Sequence, residues 1–116
     1  MSIAYLSLTL VTIAINGGMA IADFARAKFV LANSAEVNFP ATWIPLAGAA
    51  KAGGALGLLL GLLGARPLGI AAAVGLILYF TAALVVHVRA RVFHNIAFPA
   101  MYFAFAVASL AFALMR

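Results

Sequence analysis

PLGIAAAVGLILYFTAALVVHVRAR, residues Pro67–Arg91, is the stretch whose reading decides the fold. It runs apolar from Leu68 to Val86, about the 20 residues a helix needs to cross a hydrocarbon core of roughly 30 Å. It then closes on His87-Val88-Arg89-Ala90-Arg91. A membrane helix that ends in an imidazole and two guanidiniums places strong polar chemistry at one membrane face. On a regular helix Phe80, Ala83 and His87 share one stripe, so His87 lies on the face those residues define.

The rest of the chain agrees. Of 116 residues 68% are hydrophobic and 8% are charged, with a mean hydropathy of +1.23. Soluble domains carry about 25% charged residues, so this chain has too little polar surface to face water. It reads as an all-α integral membrane four-helix bundle, one transmembrane domain over residues 1–116. The net charge of +5 rests on seven Lys and Arg. Most of them flank hydrophobic runs, where snorkelling and topology account for them better than nucleic-acid binding does. The absence of cysteine excludes disulfides, thiol redox catalysis and thiolate metal sites within the chain.

The first span covers residues 3–22. Ala20-Ile21-Ala22 before Asp23 resembles a signal cleavage site, but no basic residue precedes the apolar run, so the segment reads as a retained helix. Its Tyr5, Thr9, Thr12, Asn16 and Asp23 fall within one narrow helical stripe. A polar stripe in lipid must turn inward, because an unsatisfied polar group in hydrocarbon costs several kcal/mol. Residues 24–42 are too apolar for a plain solvated loop and read as an interfacial segment or a lid, ending in a turn at Asn38–Pro40. The second span, 44–63, opens at Trp43, an interfacial anchor. Its Gly53, Gly57 and Gly61 offer a small-residue stripe to a neighbouring helix. Lys51 projects well away from that stripe; it either snorkels outward or pairs with a carboxylate inside the bundle, for which Asp23 and Glu36 are the candidates. Gly64–Pro67 is a tight turn, the third span runs over 68–88, and the fourth, 96–115, carries Asn95, Tyr102 and Ser109 on a heptad stripe.

Counting spans puts both termini on one side and the connections holding Arg26, Lys28, Arg89 and Arg91 on the other; Arg66 and Arg116 lie with the termini. The positive-inside tendency then places the basic connections in the cytoplasm and the termini outside a cell membrane. Alternating helix directions also bring Asp23, Lys51, His87, Arg89 and Asn95 to one membrane side. A cavity there would hold a carboxylate, a cation and an imidazole beside aromatic walls from Trp43, Tyr79 and Tyr102, with Asn16 deeper in the first span. Such a site suits an amphiphile with an anionic or carbonyl head, a quinone or another lipid. His87 would shuttle a proton and Lys51 would polarise an oxygen, with Asp23 as the paired acid. The same three groups also read as a structural charge network. Two histidines and no second buried carboxylate make no metal site.

WIPLAGAAK (Trp43–Lys51), the Gly- and Leu-rich run after it, RPLGIAAAVGL (Arg66–Leu76) and AALVVHVR (Ala82–Arg89) together resemble the DoxX-like family of small four-helix membrane proteins. The resemblance implies a four-helix bundle with Lys51, His87 and Arg89 at motif positions. It also implies a link to quinone-coupled oxidoreductase assemblies, hence a redox partner protein. Small multidrug transporters also cross the membrane four times in about this length. They place a carboxylate well inside the first span, where this chain has Asn16, which disfavours proton-coupled cation export. The leading expectation is a membrane subunit that binds a quinone or similar lipid within an oxidoreductase system. Two alternatives stand beside it: a structural or assembly protein without chemistry, and an isomerase or hydrolase for a hydrophobic substrate. Glycine faces leave room for a homo-oligomer whose order the sequence does not set.

Overall fold

In a computed structural model, which describes residues 2–115, four long helices form the bundle and a short fifth crosses one end. They are α1 (Ile3–Phe24), α2 (Lys28–Glu36), α3 (Ile44–Leu62), α4 (Arg66–Arg89) and α5 (Ala97–Met115), with a single 3-10 turn at Ala41–Trp43 leading into α3. The segments Ile3–Phe24, Ala41–Leu62, Arg66–Arg89 and Ala97–Met115 are each long and apolar enough to cross a membrane. The protein is therefore an all-α, multi-pass membrane protein. α1 packs on α3 and α5, and α4 packs on the same two, so α1 and α4 face each other across a diagonal.

Sharp helix ends keep the connections short. Ser2 caps α1 by accepting the Tyr5 N–H at 3.1 Å. Arg26, Asn38, Gly64 and Arg91 follow the ends of α1, α2, α3 and α4 with positive φ. Each lets the next N–H reach back: Ala27 to Ala22 O, Phe39 to Ser34 O, Ala65 to Leu60 O and Val92 to His87 O, at 2.8–3.0 Å. This closure satisfies terminal carbonyls that lipid cannot. At the opposite end of the bundle Arg66 donates to Ala113 O at 3.3 Å and Leu114 O at 3.2 Å. That contact places the α3–α4 turn beside the end of α5, complementing the negative end of that helix.

The core holds Leu58, Ala73, Leu76, Phe80 and Ala106. The tightest seam is α3 on α4. A Cβ on Gly61 would stand 2.7 Å from Gly69 Cα, one on Gly57 2.6 Å from Ala72 Cβ, and one on Gly54 2.5 Å from the Leu76 side chain. The expected stripe of Gly53, Gly57 and Gly61 is corrected in one member: Gly53 faces open space and Gly54 takes its place. A four-residue step overshoots a helical turn by about 40°, so two such steps leave the contact face. The spacing 54–57–61 is a heptad and stays on it.

The stripe on α1 is buried throughout: Tyr5, Thr9, Thr12, Asn16 and Asp23 are each 5% exposed or less. The segment expected as an interfacial stretch or a lid forms α2 and the 3-10 turn at the Asp23 end of the bundle. It is tied down by Glu36 Oε2, 2.6 Å from His94 Nε2, and by Asn95 Nδ2 donating to Asn33 Oδ1 at 3.4 Å.

Candidate functional site

The site grows from one ion pair. Asp23 is the last buried residue of α1 and Lys51 stands two turns into α3. Lys51 Nζ donates to Asp23 Oδ2 at 2.7 Å, with side-chain exposures of 8% and 3%. Of the two carboxylates that could partner Lys51, the structure selects Asp23; Glu36 goes to His94. Gly48, one turn before Lys51, makes the approach feasible, since a Cβ there would stand 3.0 Å from Asp23 Cβ and 3.3 Å from the Phe24 ring. A lone lysine at helix centre costs on the order of 2.5–3.5 kcal/mol on insertion scales. The paired carboxylate offsets that cost, as does the Tyr79 ring, whose centroid lies 5.0 Å from the ammonium. Such a cation–π contact contributes about 0.5–2 kcal/mol.

Around the pair the bundle is hollow. A cavity of about 370 Å³ lies under the lid between α3 and α4, with Trp43, Ala47, Ala50 and Val86 in its walls. A second, of about 320 Å³, lies between α1, α4 and α5, with Met19, Asn95, Phe98 and Tyr102 in its walls. Asp23, Lys51, Tyr79, Ala83 and His87 border both, as do Val30, Asn33 and Ser34 of the lid. The two flank the ion pair and together form the chamber around it. Its aromatic side is an ordered file: Tyr79 stacks on Phe80 at 4.9 Å, and Phe80 meets Tyr102 at 5.2 Å.

The chemistry of this arrangement follows from its hydrogen bonds. Lys51 carries three N–H donors and spends one on Asp23, so two remain for an oxygen in the chamber. His87 Nδ1 lies 2.8 Å from Ala83 O. A carbonyl only accepts, so Nδ1 carries the hydrogen, and in the neutral ring Nε2 is left as a proton acceptor. A fixed ammonium and a fixed imidazole thus border one mostly apolar space. Among the described residues no three His, Asp or Glu side chains gather as a metal-ligand group.

Of the residues the sequence singled out, Asp23, Lys51, His87, Tyr79, Tyr102 and Trp43 all border the chamber. Trp43 does so from the rim, 57% exposed. Asn16 and Arg89 do not line it. Arg89 follows His87 by two residues, about 200° around the helix, and points outward from the end of α4. Asn16 is fully buried two turns from Asp23, donating to Thr12 O. Gly48 and the lid residues Val30, Asn33 and Ser34 were not singled out. Gly48 stands inside the WIPLAGAAK motif, one turn from Lys51, which is the signal that could have found it.

A buried acid–base pair roofed by a short helix at one end of a four-span bundle defines a small polytopic membrane protein with a mostly apolar chamber around a charged centre. The chain matches the DoxX-like family over residues 7–109, nearly its whole length, and it belongs to that family. No curated protein and no solved structure matches it.

Proposed function

We propose that the chamber binds a quinone, or a lipid with a similar carbonyl or hydroxyl head, and that the protein serves as a membrane subunit of an oxidoreductase system. One observation carries this reading. Lys51, pinned by Asp23 over the Tyr79 ring, keeps unspent N–H donors at a space that the His87 imidazole also borders. A ring carbonyl would accept from Lys51, the ring would lie along the aromatic file, and the apolar tail would leave through walls that are themselves apolar. The lobe volumes of about 370 and 320 Å³ fall in the range of roughly 300–1,000 Å³ that small-molecule sites occupy. A bound quinone supplies the electron transfer; this chain supplies the cation that orients its oxygen and the imidazole that takes or gives its proton.

Lid-side Arg26, Lys28, Arg89 and Arg91 against Arg66 at the other end support a cytoplasmic lid and external termini; Arg116 lies outside the described residues. Reporter fusions to either terminus test that orientation. For the ligand, the test is extraction of the purified protein followed by mass spectrometry. Wild type is expected to carry an isoprenoid quinone that Lys51→Met and His87→Ala lose. If wild type and both variants carry the same lipids, the pair is a structural clamp and the quinone reading fails.

A further inference from the structure

Away from the chamber, the buried face of α1 carries a run of polar side chains that lipid cannot satisfy, and Thr12 meets Ser109 of α5 from it. Thr9, Thr12, Asn16 and Ser109 are 0–1% exposed there. Thr12 Oγ1 donates to Leu8 O at 2.8 Å and lies 3.0 Å from Ser109 Oγ. A hydroxyl has one hydrogen, so Ser109 must be the donor to Thr12. Asn16 Nδ2 donates to Thr12 O at 2.9 Å. Two atoms on the same helical face are left over: Thr9 Oγ1 and Asn16 Oδ1 meet no hydrogen-bond partner within the protein. Both sit between helices, where lipid headgroups cannot reach. Both accept hydrogen bonds, and a small donor that fits between packed helices is water, which typically binds two to four polar groups when buried.

The orphans are not isolated. Toward the lid, Tyr102 OH donates to Ile15 O at 3.4 Å, and the Tyr102 side chain walls the α5 lobe of the chamber. Toward the termini, the stripe continues through buried Tyr5 to Ser2, which is exposed. Thr9, Thr12 and Asn16 stand three and four residues apart, about 4.5 and 6 Å of helix rise. A single water spans two oxygens about 5.5 Å apart, twice a normal O–H···O distance.

We propose that the buried polar face of α1 binds a file of water, anchored at Thr9 and Asn16, that joins the chamber at Tyr102 to the terminal face and lets protons reach it from the side opposite the lid. In each step an oxygen takes a proton on one side and releases another on the far side. One charge moves, no bond order changes, and nothing is oxidised or reduced. The inference does not depend on what occupies the chamber.

Two measurements test it. The chain has four asparagines, Asn16, Asn33, Asn38 and Asn95, so water-edited solid-state NMR of asparagine-labelled protein in bilayers is sparse, and Asn16→Leu assigns its peak. Asn16 is expected to receive water magnetisation as fast as Asn33 of the lid. A build-up far slower than that of Asn33 and Asn38, both exposed, overturns the proposal. In vesicles loaded with a pH-sensitive dye and driven by a potassium gradient, wild type is expected to admit protons faster than protein-free vesicles. Thr9→Val, which keeps the shape of the side chain, is expected to be about tenfold slower. Wild-type flux at the protein-free level, or undiminished flux in both Thr9→Val and Asn16→Leu, also overturns it.

Discussion

Replacing Lys51 by Met removes the ammonium and keeps most of the side-chain volume. Asp23 is then left 2% exposed, its Cβ packed on Gly48 and Phe24, with no cation paired to it. Arg26 and Lys28 are exposed and sit beyond the end of α1. Breaking a buried pair by removing one partner costs about 3–5 kcal/mol, whereas replacing both partners with apolar groups is often close to neutral. Lys51→Met is therefore expected to lose about 3–5 kcal/mol of bundle stability, and Asp23→Leu/Lys51→Met to recover to within about 1 kcal/mol of wild type. Asp23→Asn should fall between them, because a freed lysine can stretch its four-carbon stem toward the lid face while a freed aspartate cannot move. The assay is reversible unfolding in mixed micelles of rising denaturing-detergent fraction, followed by helicity. A Lys51→Met loss under about 1 kcal/mol, or a double variant as unstable as the sum of the singles, would refute the view that a desolvated pair holds this end of the bundle together.

Other consequences are testable in the same system. Gly61→Ala should cost about 1–3 kcal/mol by forcing α3 off α4, while Gly53→Ala, with open space around it, should be neutral or gain up to about 1 kcal/mol of helix propensity. Ser109→Ala should lose about 1 kcal/mol by taking away the donor to Thr12. Because the chain lacks cysteine, Glu36→Cys/His94→Cys can be cross-linked to pin the lid to the α4–α5 connection; exchange of a bound lipid probe, measured by stopped flow, should slow sharply and recover on reduction. Unchanged exchange would mean that α2 does not move to admit ligands.

Much of the fold was legible because lipid leaves so few options. Polar residues three, four or seven places apart in an apolar run share a face that can point only inward, and Tyr5, Thr9, Thr12, Asn16 and Asp23 do so. Parity of crossings then sufficed to gather Asp23, Lys51 and His87. Other features depended on distances that spacing does not carry. Whether Gly53 or Gly54 meets α4 turns on a residual rotation of about 100° between neighbours. Whether Lys51 finds Asp23 or Glu36 turns on how α2 lies, and α2 is set by the closures at Arg26 and Asn38 and by contacts 58 and 62 residues distant in sequence. Arg89 was drawn into the site by membrane side and by its motif position, and its place on the helix turns it away.

The most direct test uses the single tryptophan. Trp43 stands on the chamber rim, so a short-chain quinone bound beside Lys51 should quench its emission. In nanodiscs the quenching is predicted to saturate, and the midpoint to rise roughly 10- to 150-fold in Lys51→Met and His87→Ala, the range for losing a hydrogen bond to a charged group. Quenching that grows linearly with quinone in the bilayer, alike in wild type and both variants, would contradict the assignment of the chamber as a binding site.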